Sequence, residues 1–148
     1  MAWVAGVMDA RGTKYIRGAD PAKSRWVMFY REEDAALAER FAPLIGVRTS
    51  AGAKAREYVR KGCSEHCPLP HIHTQDQPSN RGVVLEGSRL YVVLRNLNPF
   101  LATDFSVLMQ AVSCCGYQER VKQSLSELGW DVSHFNDLKS NNRKKVGV

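Results

Sequence analysis

The spacing of apolar residues changes along the chain, and each change predicts where a helix or a strand begins. Residues 3–12 carry apolar side chains at helical spacing and end in Gly12, which we expect to stop the helix at a positive φ. Residues 13–18 alternate, and residues 24–31 are rich in aromatic and β-branched side chains, as strands are. An Asp-Pro turn within residues 19–23 joins them, so the first helix should lead into a hairpin.

The pattern after the hairpin switches again between helical and extended segments. Three acids at residues 32–34 suit the first turn of a second helix, where the helix dipole favours negative charge, and Gly46 suits its end. We predict strands at 55–61 and within 83–94, strongest at 89–95, and then helices from Asn98 to about Cys115 and over 117–128. The order α-β-β-α-β-β-α-α belongs to the α+β class.

The composition indicates a single globular domain. The chain has 148 residues, of which 44% are hydrophobic and 24% charged, as in ordinary soluble proteins. We assign residues 1–136 to one domain that contains a Cys/His-rich loop insertion at 62–82, and residues 137–148 to a basic flexible tail. The sequence shows neither an apolar run long enough for a membrane span nor a signal peptide, which predicts an intracellular, cytoplasmic protein with no membrane association.

Positive charge is clustered in two short segments. The net charge is +6, of which residues 139–148 carry +4 and residues 54–61 carry +3, so the rest of the chain sums to −1. Clusters of this kind favour a polyanionic partner more strongly than an evenly spread charge does.

The first helix contains a motif. Residues 4–12 read VAGVMDARG, in which Ala5 and Gly6 are small enough for another backbone to approach closely. This segment resembles the LAGLIDADG motif of homing endonucleases in its apolar and small positions and in its first acid, Asp9. The alternative interpretation is an ordinary N-terminal core helix that ends at a glycine.

The resemblance extends from the motif to the order of elements over about residues 2–130. In the LAGLIDADG homing-endonuclease family, four antiparallel strands form a saddle-shaped sheet that lies in the DNA major groove. Motif helices of two units pack together on a two-fold axis, so the resemblance implies a homodimer through the helix at 3–12. The alternative is a generic α+β domain whose element order coincides with that of the family.

One position departs from the motif. The resemblance implies a metal-binding carboxylate where this chain has Arg11, which would repel Mg²⁺ and attract a phosphate instead. Asp9 is expected to close the helix end rather than to bind metal. A displaced acid remains an alternative, and the candidates are Glu32, Asp34 and Asp104.

Arginine and tyrosine alternate along the predicted strands and mark a candidate nucleic-acid face. Arginine supplies paired donors to guanine edges and phosphates, and tyrosine supplies a flat ring with a polar tip. The candidate residues are Lys14, Arg17, Arg25, Arg56, Tyr58, Arg60, Arg89, Tyr91 and Arg95. Solvated outer positions of a half-buried sheet are the alternative interpretation.

A Cys/His cluster lies in the predicted loop insertion. Cys63, Cys67, His71 and His73 have the donor atoms of a tetrahedral zinc site, with His66 as a spare, although their spacing is unusual for one. Such a structural zinc would order a long loop. An exposed linker without metal is the alternative. The pair Cys114-Cys115 is expected to be buried packing.

These observations together predict a nucleic-acid-binding protein that favours duplex DNA, with RNA as a second possibility, and that does not cleave because of Arg11. Two alternatives stay open. One is an active metal-dependent, site-specific DNA endonuclease with a displaced acid, for which Mg²⁺ would be the cofactor. The other is a module that binds RNA, a ribosome or a protein through the same basic surface.

Overall fold

The computed structural model describes residues 1–51 and 81–140. Its α-helices are α1 (Ala2–Arg11), α2 (Ala35–Leu44), α3 (Gly87–Leu97), α4 (Ser106–Val112) and α5 (Glu119–Glu127). Its strands are β1 (Thr13–Tyr15), β2 (Arg25–Tyr30), β3 (Ser50–Ala51), β4 (Arg81–Glu86), β5 (Gly116–Tyr117) and β6 (Lys139–Ser140). This mixture confirms the α+β class. None of these helices is long and apolar enough to cross a bilayer.

The main sheet is antiparallel and has the spatial order β1-β2-β4-β3. Arg25 of β2 lies between Tyr15 of β1 and Glu86 of β4 in the register. Three strands have three to six residues, whereas β3 adds only two residues at the edge of β4. The prediction of a four-stranded antiparallel sheet is therefore confirmed only in part: three strands form the sheet, and β3 is a short addition at its edge. The strand predicted at 55–61 lies outside the described residues.

One face of the sheet packs against the helices and forms the core. Its largest side chains come from the two long strands, because alternate residues of a strand point to the same side. Trp26, Met28 and Tyr30 of β2 and Val83 and Leu85 of β4 are at most 4% exposed. Each of these side chains contributes about 1.5–3 kcal/mol when it leaves water. We call this the inner face and the opposite one the outer face.

The segment 89–95 is helical, so its prediction as a strand was wrong. The strand ends earlier, at Glu86, and Gly87 turns the chain into α3 with a φ of +62°. The apolar residues of the segment satisfy the helical period as well as the extended one. Those with no exposed surface at helical spacing are Leu90, Val93, Leu94 and Leu97. Because β4 already fills the sheet position next to β2, the following segment covers the inner face as a helix.

Two glycines after helices behave differently. Gly46 ends α2 with a φ of +72°, which confirms the predicted stop. Gly12 follows α1 with a φ of −109°, so the expected positive φ was wrong. A Cβ atom on Gly12 would overlap the indole ring of Trp26. Glycine is needed at this position because the core ring packs directly on the backbone, not because of a left-handed turn.

The helix predicted from Asn98 to Cys115 is interrupted. A 3₁₀ turn covers Asn98–Phe100, and α4 begins only at Ser106. Side chains of other elements hold the backbone between them, as described below. The final predicted helix at 117–128 is present as α5.

The chain stays packed beyond residue 136, where the predicted tail begins. A 3₁₀ helix, Val132–Asp137, buries Phe135 completely, and Leu138 is 5% exposed. Strand β6 then pairs in parallel with β5. Residues 137–140 therefore belong to the folded domain, because their apolar and backbone groups have partners in it. Residues 141–148 lie outside the described residues.

Candidate nucleic-acid interface

Helix α1 carries the motif and divides it between a buried and an open side. Val4, Ala5, Val7 and Met8 are buried. The exposed positions Ala2, Gly6 and Ala10 are four residues apart and share the other side of the helix. A Cβ atom on Gly6 would meet nothing within 4 Å. The open side of α1 is therefore a surface of small residues.

Asp9 connects α1 to the segment before α4. Its two carboxylate oxygens accept hydrogen bonds from the backbone N–H groups of Ala102, at 2.8 Å, and Thr103, at 2.9 Å. Burial raises the pKa of Asp9, but these hydrogen bonds outweigh it and lower the pKa below its ordinary value. Asp9 was expected to close its own helix, and instead it holds a loop some ninety residues later in the chain.

Arg11 stands at the end of α1, where the motif resemblance implies a metal ligand. Its guanidinium lies 3.7 Å from the carboxylate of Asp34, and both side chains are partly exposed. A cation at this position opposes the binding of a divalent metal, so the residues present do not fit Mg²⁺. Within the two described ranges, no group of three or more His, Cys, Asp or Glu side chains converges on a potential metal site.

The two other candidates for a displaced acid, Glu32 and Asp104, form no ion pair with Arg11 among the described contacts. Asp104 accepts a hydrogen bond from the backbone N–H of Ser106 at 2.9 Å. Hydrogen bonds from the side chain and the backbone of Ser106 lower the pKa of Asp104. Glu32 begins the acidic turn before α2 and is exposed. Of the three candidates, only Asp34 forms an ion pair with Arg11 among the described contacts.

The outer face of the sheet contains Arg25, as predicted. Its Nε atom lies 2.6 Å from Glu86 Oε2 on the neighbouring strand. The residue as a whole is 9% exposed, so its charge is held in place by its surroundings. Tyr15 and Val27 share this face and are buried.

Lys14 does not belong to the outer face, which corrects its assignment. It pairs in register with Trp26, an inner-face residue. Its ammonium group donates a hydrogen bond to the backbone oxygen of Asp104 at 2.8 Å and lies 5.0 Å from the centroid of the Phe105 ring. Adjacent residues of a strand point to opposite faces, so Lys14 and its neighbour Tyr15 cannot serve the same surface.

Arg17 lies beside two other cations at one end of the sheet. Together with Lys23 and Arg25 it lines an open pocket of about 420 Å³, to which Glu86 and Gly87 also contribute. Its backbone N–H donates a hydrogen bond to Ser24 Oγ at 2.8 Å. The pocket thus brings three positive side chains together at one end of the sheet.

Three further residues were predicted to lie on the surface of the sheet. This prediction was wrong, because Arg89, Tyr91 and Arg95 lie on α3. Arg89 Nη1 donates hydrogen bonds to the backbone oxygen of Ile45, at 3.2 Å, and to Ser124 Oγ, at 3.4 Å. Burial, followed by the nearby charge of Arg120, lowers the pKa of Arg89. Arg89 therefore joins three helical elements of the fold.

The hydroxyl of Tyr91 donates a hydrogen bond to Asp137 Oδ2 at 2.9 Å, and Tyr91 is 6% exposed. It holds the C-terminal segment against α3. Arg95 is exposed in the last turn of α3, beside α4. The three side chains thus serve the helical layer and not the outer face.

Several predicted residues lie outside the described ranges. They are Arg56, Tyr58, Arg60 and the zinc candidates Cys63, Cys67, His71 and His73. Of the second cysteine pair, Cys114 is exposed and Cys115 is half-buried, and burial raises the pKa of Cys115 to about 11. The prediction of buried packing thus holds for Cys115 in part and not for Cys114.

Lys23 is the residue that the sequence analysis missed. It ends the 3₁₀ turn Pro21–Lys23 between β1 and β2, and it lines the pocket together with Arg17 and Arg25. Strand alternation could not select Lys23, because the residue lies in a turn and not in a strand. Asp34 was considered only as an acid, and its pairing with Arg11 is a tertiary contact.

Comparison of the chain with protein-family models, with curated proteins and with solved structures gave no significant match.

Proposed function

We propose that this protein binds nucleic acid through the cations at one end of the outer face of its sheet, favours duplex DNA, and does not cleave it. One observation carries the proposal: Arg17, Lys23 and Arg25 line a single pocket at the end of that face. Cations that converge on a fixed surface attract phosphates and release the counterions of a polynucleotide. The net charge of +6 acts in the same direction over longer distances.

The absence of cleavage follows in this proposal from Arg11. A divalent metal stabilises the charge of a transferring phosphoryl group and activates the attacking water. Arg11 occupies the motif position that the resemblance reserves for a carboxylate, and its charge opposes a metal there. In this hypothesis the guanidinium of Arg11 contacts a phosphate, so it contributes to binding affinity but not to cleavage.

The proposal includes a homodimer through α1. The support is the open side of this helix, where Ala2, Gly6 and Ala10 allow close approach of a second backbone. Two copies related by a two-fold axis would present two outer faces, and thus two pockets, to one duplex. This arrangement and the LAGLIDADG-like scaffold rest on the motif resemblance.

Binding is tested by fluorescence anisotropy with a mixed-sequence DNA duplex and a structured RNA, each titrated from low to high salt. Mg²⁺ is present throughout, and the strands are examined by denaturing gel afterwards. We expect affinity for the duplex that falls steeply with salt and leaves both strands intact. Tighter binding to the RNA than to the duplex would identify RNA, and not DNA, as the ligand. No binding to either polynucleotide at low salt would reject the proposal and favour a protein-interaction module.

A second candidate function is an active endonuclease, and the observation in its favour is Asp34. This carboxylate lies beside Arg11 at the end of the motif helix and would be the displaced metal ligand. Nicking of the duplex by the unaltered protein with Mg²⁺, abolished by Asp34→Asn, would establish this alternative.

A further inference from the structure

The pocket at the end of the outer face is lined by side chains of both charges. Arg17, Lys23 and Arg25 contribute positive charge, and Glu86 contributes a carboxylate. The pocket is an open depression of about 420 Å³, so a charged group can reach it from solvent.

The three cations differ in how firmly they are held. Arg25 is 9% exposed and forms a close ion pair with Glu86. Lys23 lies 3.7 Å from Asp20, but both side chains are about half exposed, and such surface pairs contribute little. Lys23 can therefore exchange Asp20 for a ligand. Arg17 stands on a backbone that is fixed by its hydrogen bond to Ser24, a residue with no exposed surface.

The beginning of α3 borders the same pocket. Glu86 precedes this helix of 11 residues and makes no side-chain capping hydrogen bond to it. Gly87 lines the pocket, and a Cβ atom there would meet nothing within 4 Å. The backbone is thus accessible at the helix end that carries partial positive charge. This feature adds to the cations, which by themselves define the pocket.

We propose that this pocket binds one phosphate group of a polynucleotide backbone through Arg17 and Lys23, while Arg25 stays paired with Glu86 in the pocket wall. The proposal rests on the proposed function for the source of the phosphate. Glu86 limits the pocket to a single phosphate, because its carboxylate neutralises Arg25 in part and repels a second anion. The pocket gives affinity without sequence preference, since a phosphate is the same at every base pair.

The decisive variant is Arg17→Ala with Lys23→Ala, compared with Arg95→Ala plus Arg120→Ala. The control also removes two positive charges, but from exposed positions near the end of α3 and on α5. Loss of the one phosphate contact that both side chains share should lower the slope of log Kd against log salt by about one, which is about 3.5-fold less change in affinity between 50 and 200 mM salt. Equal slopes in the pocket variant and the control would overturn the proposal.

Two further measurements complete the test. The double variant Arg17→Gln with Lys23→Gln keeps polar side chains at both positions. It should show the same lower salt slope, and it takes the place of the alanine variant if that variant does not fold. Glu86→Gln should tighten binding, because it removes a negative charge from the pocket wall. A weaker affinity in Glu86→Gln with unchanged thermal unfolding would contradict the role given to the pocket.

The source of the phosphate is separated with inorganic phosphate as probe. In amide NMR spectra of the full chain, phosphate should shift the resonance of Gly87 in the wild type and in the control, but not in the pocket variant. If this holds while neither polynucleotide binds, the proposed function fails, the phosphate comes from another source, and the assignment to a polynucleotide is overturned. If a polynucleotide binds with the same salt slope in all variants, the proposed function stands and the pocket is rejected.

Discussion

The guanidinium of Arg11 lies 3.7 Å from the carboxylate of Asp34, at the end of the helix that carries the motif. The pair joins the end of α1 to the residue that precedes α2. A partly exposed pair at this distance contributes little to stability. The pair is relevant to metal binding instead, because replacing Arg11 with an acid would place two carboxylates next to each other.

We expect Arg11→Asp to create a site for a divalent metal and, on a nucleic-acid-binding scaffold, metal-dependent nicking of duplex DNA. Two carboxylates can hold Mg²⁺ or Mn²⁺ with oxygen ligands, whereas Arg11 repels them. Calorimetric titration with Mn²⁺ measures binding, and gel analysis of supercoiled plasmid measures nicking. Arg11→Asn is the control, because it removes the cation without adding a charge. Metal-dependent nicking by the unaltered protein would show that Arg11 does not abolish cleavage.

We expect Asp9→Ala to destabilise the fold by about 1–3 kcal/mol, because two backbone N–H groups lose a charged acceptor. Asp9→Asn keeps the shape of the side chain and one acceptor oxygen, so it should lower the free energy of unfolding by less. The measurement is chemical denaturation at neutral pH. If Asp9→Ala unfolds at the same denaturant concentration as the wild type, the connection between α1 and the loop before α4 is not a stabilising one.

The same carboxyl group predicts a dependence on pH. The folded protein lowers the pKa of Asp9 below the ordinary 3.8, so its contribution is fully present above that pH and is lost as the pH falls through the folded-state pKa. The free energy of unfolding of the wild type should therefore fall in this acidic range, and that of Asp9→Asn should fall less. Asp104 and Asp131 also have lowered pKa values, so only the difference between the two curves reports on Asp9.

We expect Gly6→Leu to leave the fold of the single chain intact and to prevent dimerisation. A side chain at Gly6 enters open space in the single chain, whereas it would separate two helices packed through their small residues. Sedimentation of both proteins, alone and with duplex DNA, gives the assembly state. Val107→Leu, at an exposed site on α4, controls for added apolar surface. A wild type that stays monomeric in both conditions would exclude the homodimer.

We expect zinc to be retained by the full chain at one equivalent and to be lost in Cys63→Ser with Cys67→Ser. This expectation comes from the donor types in the sequence alone. Elemental analysis of purified protein measures the metal content. Cys114→Ser is the matched control, because Cys114 is an exposed free thiol. A metal-free wild type, purified without chelators and in the presence of zinc, would leave these residues as an ordinary linker.

Some elements could be predicted because their pattern is local. Strand β2 lies within its predicted range since its aromatic and β-branched residues suit both faces of a paired strand, and α5 and the end of α2 at Gly46 follow in the same way. The segment 89–95 could not be assigned by the same means. Its apolar residues fit two periods, and only the sheet position taken by β4 and the turn at Gly87 select the helix.

The sequence by itself determined the α+β class, because the spacing of apolar residues within a segment indicates a helix or a strand. The resemblance of residues 4–12 to the LAGLIDADG motif stays a prediction. Tertiary structure alone decided which cations meet. Lys14 donates a hydrogen bond to Asp104, and Arg89 donates hydrogen bonds to Ile45 and Ser124. A single pocket is lined by Arg17, Lys23 and Arg25. A contact between residues far apart in the chain depends on strand register and on helix packing, and neither is encoded in the spacing of apolar residues within a single element.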